Sequence, residues 1–297
     1  MNLLVYKLVI APLLVALATL AGRRWGSVAT GLVAGLPIIA GPILFFYAVE
    51  QGPVFASQAA VATLLGMVSL SAFMLIFAWR SWVGGTALSC ILLGWSGFAL
   101  VTIVMDRVSD RMLDDHRTTL LKALFKALVY ALAALYLGRR SLPRLEARAS
   151  QGAILGGRMQ LVPRPDGDES APSLDSAPPP EPNAWDIPLR MLAAALLVWT
   201  LTSLAQRLGP RLGGLLTPFP IASTVLSTFA LVQGGREAAH AVIKGFFLAF
   251  YSFAVFCAVL AASLPILSLP VSFTAAVLMA ALAHGFVLRR MLQGPLF

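Results

Sequence analysis

Nine apolar stretches, most of about twenty residues, run through this 297-residue chain, and they decide the solvent in which it folds. They lie near 3–21, 31–49, 54–79, 83–105, 118–138, 187–206, 212–232, 238–261 and 270–288. A helix needs about 17–25 mainly apolar residues to cross the hydrocarbon core of a bilayer, so each stretch is a candidate crossing. Composition agrees. Hydrophobic residues make up 59% of the chain and charged residues only 12%, where a soluble domain carries about 25% charge. The predicted fold is an all-α polytopic membrane protein with about nine transmembrane helices.

The chain has 22 Lys and Arg against 13 Asp and Glu, a formal charge of +9. The basic residues gather at the ends of apolar runs, as in Arg23-Arg24, Arg139-Arg140 and Arg289-Arg290. Interfacial anchoring and topology explain that placement better than nucleic acid, which is excluded as a partner. The lipid bilayer is the implied partner. Cys90 and Cys257 sit inside apolar runs and read as small buried hydrophobes, not as a disulfide. The first apolar run reads as a retained span, because it lacks a basic start and is followed by Arg23-Arg24.

Residues 139–186 break the pattern. RPDGDESAPSLDSAPPPEPNAWDIP is rich in Pro, Ser and acid and lacks apolar periodicity, so it reads as a disordered polar linker. Its first part is basic, through Arg139, Arg140, Arg144, Arg148 and Arg158, which puts it on the cytoplasmic side. Four spans further on, Arg289-Arg290 and the C-terminus fall on that same side. Arg207 and Arg211 fall outside, against the rule. In the fifth stretch Lys122 and Lys126 share one face, as in an interfacial amphipathic helix. The apolar run from Ala127 to Leu137 favours spanning.

The chain also resembles itself. An offset of 183 residues lays 11–89 on 194–272 without a gap. Thr19 meets Thr202, Arg24 meets Arg207, Gly26 meets Gly209, and Gly31-Leu32 meets Gly214-Leu215. Pro37-Ile38 meets Pro220-Ile221, Gly52 meets Gly235, and Ser69 meets Ser252. Matches of Ala, Leu and Val are cheap in membrane helices; matches of Arg, Gly and Pro are not. The organisation expected is a first four-helix repeat (1–105), a linking helix (106–138), the linker (139–186) and a second four-helix repeat (187–297). The odd fifth span would reverse the second copy and make the repeat inverted, an arrangement common in secondary transporters.

The second span reads GLVAGLPIIAGPILFFYAVE and its mate GGLLTPFPIASTVLSTFALV. Pro37 and Pro42 interrupt one, Pro218 and Pro220 the other, and each proline removes a helix hydrogen bond. In hydrocarbon such a break is tolerated where it is buried or lines a wet cavity. Gly/Pro-interrupted spans at matching positions of two repeats point to a transporter's binding site; the plainer alternative is that they only shape helix packing. The substrate-binding candidates are Gly35, Pro37, Gly41, Pro42 and Tyr47 from the first half, and Pro218, Pro220, Ser223 and Thr224 from the second. Ser69 and Ser252, symmetric and mid-span, complete the set.

Lys7 aligns with Arg190 as Arg24 does with Arg207, giving the first and sixth spans basic groups near both ends. Snorkelling to the interface accounts for them. His240 and Lys244 share one face at a span's start, and His284 reads as a packed or hydrogen-bonded histidine. No carboxylate lies clearly at mid-membrane. No metal cluster, phosphate loop or catalytic constellation is evident, so no cofactor and no enzymatic activity are expected.

Gly213, Gly214, Leu215, Phe219, Pro220, Ser223 and Thr224, followed by Gly235, Arg236 and Glu237, resemble the GlpM family of small four-span bacterial inner-membrane proteins. Gly31, Leu32, Gly35, Leu36 and Pro37 show a weaker version, with Leu36 in place of the Phe. The resemblance covers about 80 residues well and implies a fused double copy in a bacterial inner membrane. It also implies a link to envelope polysaccharide. The functions expected are transport or export of a small metabolite or envelope precursor or, as the alternative, a non-transporting scaffold for an envelope system. Partners in the second case would be an envelope protein or a second copy of the chain.

Overall fold

The computed structural model describes residues 36–113 and 186–293, with residues 13, 32, 33, 129 and 133 in isolation. The expected spans at 3–21 and 118–138, the linker up to Trp185, and the side chains of Lys7 and Arg24 lie outside the described residues. So does Gly35.

All regular structure among the described residues is helical. In chain order the helices are α1 (Ala40–Gln51), α2 (Pro53–Trp82), α3 (Ala87–Leu113), α4 (Asp186–Ser203), α5 (Ala205–Leu216), α6 (Ile221–Ser263) and α7 (Leu269–Gln293). Four segments are long and apolar enough to cross a membrane: Pro53–Trp82, Ala87–Arg107, Arg207–Ser263 and Leu269–Arg290. The chain is a multi-pass helical membrane protein. The expected nine crossings are not reproduced as nine helices among the described residues. The second, at 31–49, is a short helix behind a break, and the seventh, at 212–232, is cut at Thr217–Pro220.

The segment Arg207–Ser263 has 57 residues, which as one straight helix would reach about 85 Å, far beyond a bilayer core. It folds back instead. Inside α6, Gly235 has φ 73° and ψ −171°, outside any helical conformation. Gly52, between α1 and α2, has φ 95° and ψ 164°. Both positions need a residue without Cβ, and they are the pair matched at the 183-residue offset. Residues from both sides of each glycine come to one cleft, Ala40 and Leu70 about Gly52, and Ser223 and Phe246 about Gly235, and α1 packs along α2. Each half therefore contains a hairpin of a short leg and a long leg.

The long legs form the centre. In α2, 78% of the apolar window is buried, and in the Arg207–Ser263 segment 72%, against 22% in α3 and 17% in α7. The outer helices turn Leu88, Leu100 and Ile103, and Val271, Leu282 and Phe286, outward as a lipid-facing surface. The long legs run antiparallel, because the start of each meets the end of the other. Ser57 Oγ donates to the Ala261 carbonyl at 2.7 Å, and His240 Nε2 lies 3.1 Å from the Ala78 carbonyl.

Lipid tails are as apolar as leucine, so helices associate here through close packing and hydrogen bonds. The backbones of α5 and α2 approach closely. A Cβ on Gly214 would stand 2.2 Å from the Ala59 carbonyl oxygen, and one on Gly66 would stand 2.5 Å from the Leu215 carbonyl oxygen. Thr63 Oγ1 adds a hydrogen bond to the Gly214 carbonyl at 3.1 Å.

Gly66→Ala and Gly214→Ala should each cost about 1–3 kcal/mol through overpacking. Gly285→Ala meets open space and should leave the thermal unfolding midpoint in detergent unchanged. Equal midpoints for all three variants would remove the close crossing as a source of stability.

Candidate functional site

Two proline breaks face each other between the long legs. In the second half α5 ends at Leu216, and Pro218 and Pro220 have no N–H with which to continue it. The backbone is satisfied locally instead. Phe219 N–H donates to Leu216 O (3.0 Å), Ile221 N–H to Phe219 O (2.8 Å), and Thr224 N–H to Pro220 O (3.0 Å). In the first half Leu36 N–H donates to Val33 O (3.3 Å), Ile38 N–H to Leu36 O (2.7 Å), and Gly41 N–H to Pro37 O (2.7 Å). All five residues of one set map onto the other at an offset of 183. The two breaks are the same backbone device, built twice.

Leu36, Ile39 and Ala40 from one break, and Thr217, Pro218, Phe219, Pro220, Ala222 and Ser223 from the other, line a single cleft. Leu70 of α2 and Phe246, Phe250 and Phe253 of α6 close it. Four offset pairs meet there: Leu36 with Phe219, Ile39 with Ala222, Ala40 with Ser223, and Leu70 with Phe253. Both α1 and α6 begin at this cleft with no side-chain cap on their first turns. Its open volume is about 50 Å³, enough for water but not for a metabolite.

The sequence-derived candidates divide among several surroundings. Pro218, Pro220 and Ser223 line the cleft. Thr224 turns to α3, where its Oγ1 accepts a hydrogen bond from Trp95 Nε1 (3.0 Å) and donates to the Pro220 carbonyl. Pro37, Gly41 and Pro42 line a separate apolar groove against α7. Pro42 sits in the first turn of α1 and breaks nothing, since its missing N–H falls where helices leave such groups unpaired. Tyr47 is fully buried and does not line the cleft; its hydroxyl stands 2.9 Å from where a Gly213 Cβ would be, beside the cleft residue Thr217. Ser69 is buried beside the cleft residue Leu70, without a hydrogen-bond partner. Its mate Ser252 pairs with His284 Nδ1 at 3.2 Å.

Sequence reasoning missed the contacts that hold the site shut. Trp95 and Phe98 of α3 pack on Phe219, with ring centroids 5.6 and 5.4 Å apart. Beyond them Asp106 pairs with Arg211 Nε at 3.0 Å. His240 is 2% exposed and receives the Trp82 indole N–H on Nδ1 at 2.7 Å. That bond fixes the proton on Nε2, which faces the Ala78 carbonyl. A signal for this cluster existed: His240 falls on Ser57, and Ala261 on Ala78, at the same offset. Each half thus hydrogen-bonds the other at an equivalent place. Among the described residues no group of three or more His, Cys, Asp or Glu could hold a metal ion.

Compared with known proteins, the chain matches no family model, no curated protein and no solved structure.

His240→Ala should cost about 1–3 kcal/mol, because it strands the Trp82 indole N–H, while the Ala78 carbonyl keeps the Ser81 hydroxyl. Ser57→Ala, which removes one neutral bond, should cost about 0.5–1.5 kcal/mol. Thermal unfolding in detergent ranks the two, and a Ser57→Ala loss exceeding that of His240→Ala would contradict the bonding described.

Proposed function

We propose that the chain is a transporter or exporter of a small metabolite or envelope precursor, working by alternating access around the breaks at Pro37 and Pro220. One observation carries this reading: two proline breaks with matching hydrogen bonds, 183 residues apart, meet in one cleft. Broken spans at equivalent places in two repeats are how many transporters build a site at the membrane midplane.

The same reading takes the chain as an inverted repeat of about nine spans, with the first four related to the last four by a two-fold axis in the membrane plane. The antiparallel long legs and their reciprocal bonds, Ser57 to Ala261 and His240 to Ala78, support it. Under such symmetry each half can adopt the conformation of the other, which exchanges the open face of the site. The halves already differ in the way this requires. The second break is packed under Trp95 and Phe98, with the Asp106–Arg211 pair beyond, while the first break opens on a groove. The resemblance to the GlpM family adds a bacterial inner membrane to the proposal.

Two sets of single cysteines test it with membrane-impermeant thiol reagents, since Cys90 and Cys257 are buried. Gln51→Cys and Gly234→Cys flank the two hairpin turns and should label from opposite faces of the membrane; labelling from the same face would dismiss the inverted repeat. Ser223→Cys in the cleft should label from both faces in oppositely oriented vesicles, and adding Pro220→Ala should abolish access from one of them. A Ser223→Cys thiol reached from neither face, or from one alone, points to the scaffold function instead.

A further inference from the structure

The two short legs begin at the central cleft and run away from it in opposite directions. From its start there α1 leads to Gly52, beside the beginning of α2. The short leg of α6 leads to Gly235, and the next residue, Arg236, donates from Nη1 to the Trp82 carbonyl at the far end of α2 (3.4 Å). The N-termini of the two legs therefore meet head to head. Each acts roughly as half a positive charge, and like charges facing each other in an apolar interior repel.

Backbone donors stand free at this meeting point. Among the described residues no group accepts from the N–H of Ala40, Ala222 or Ser223, all of which line the cleft. Neither helix has a side-chain cap. Ala40 and Ser223 are a matched pair at the 183-residue offset, so the same donor is free in both halves. A side chain joins them. Ser227 is 0% exposed and its hydroxyl has no hydrogen-bond partner. It stands one turn after Ser223 on the same face, and helical side chains lean toward the N-terminus, which here is the cleft. Ser223 Oγ makes a long bond of 3.3 Å to the Pro220 carbonyl, an acceptor that Thr224 already engages through both its N–H and its hydroxyl.

We propose that the cleft binds a compact monovalent anion, a halide or a small carboxylate, held by these N–H groups and by the hydroxyls of Ser223 and Ser227. Buried N–H groups are almost always paired, and one negative charge between the two helix ends satisfies both at once. Charge sets the valence. The two ends together supply about one positive charge, and no residue lining the cleft is ionisable, so a dianion would be left half compensated. Size agrees, since about 50 Å³ admits a compact group and little more. As the group by which a transported molecule is held, the anion rests on the transport reading; as a bound ion it does not.

The test titrates the purified full chain in detergent, starting in sodium gluconate, an anion too large for the cleft. Chloride, bromide, acetate or sulfate then replaces gluconate at fixed ionic strength. Halide, acetate or both should raise the thermal midpoint saturably, by about 4 °C or more, and sulfate should not. A response to halides alone identifies a free ion, and a response to acetate identifies a carboxylate. Ala222→Pro removes one donor in a first turn, where proline is tolerated, and Ser227→Ala removes the unpaired hydroxyl. Each should raise the half-effect concentration by about tenfold or more. A midpoint that follows sulfate as it follows chloride, one that follows no anion, or titrations unchanged in every variant that folds would overturn the proposal. A saturating anion with Ser223→Cys reached from one face alone keeps this site and removes transport. Access from both faces with no response to any anion does the reverse.

Discussion

In hydrocarbon every backbone N–H and C=O must find a partner inside the protein, and a proline break takes partners away. The rest of this structure is arranged around meeting that demand twice. At Pro220 the exposed carbonyl is taken by the Thr224 N–H and by the Ser223 and Thr224 hydroxyls. At Pro37 the Gly41 N–H takes the same role. Such a break is tolerated where protein encloses it or water reaches it, and the long legs α2 and α6 supply the enclosure here. Their burial, far greater than that of α3 and α7, follows from having to bracket two interrupted chains.

That enclosure explains the glycines. For Leu215 and Pro218 to lie against α2, the backbone there must come closer than any side chain allows, hence Gly66 and Gly214. The hydroxyls of Thr63 and Thr217 then close the polar account, bonding the Gly214 and Gly213 carbonyls. With no hydrophobic force drawing helices together in lipid, these close contacts and the reciprocal bonds of Ser57 and His240 hold the centre.

Much of this was legible in the sequence, and the reason is that Gly and Pro act through the backbone. Gly52 and Gly235 could be paired by offset alone, and both adopt a conformation that only glycine enters freely. Pro37 and Pro220 could be paired likewise, down to the hydrogen bonds. Side-chain destinations were not legible. Thr224 stands next to Ser223 in a polar stretch, yet helical geometry turns it to Trp95 and away from the cleft. Tyr47 has the polarity of a site residue and the burial of a core one, and no periodicity separates the two. His240 shows its face by spacing, but its depth depends on where the opposite leg ends.

A duplicated unit that kept both halves identical would carry two equal grooves and two equal seals. Here the hydrogen bonds at the two breaks match while the side chains around them differ, Phe98 against Ala281 and Thr224 against Gly41. Phe98 is 3% exposed and packs on Phe219, so its place is one of buried packing and not of contact with lipid. With Ala at 281 and Gly at 41 no such packing is available on the other side, and a groove remains there. Matching backbone bonds at the two breaks are thus compatible with unlike surroundings, one filled by aromatic rings and the other left open.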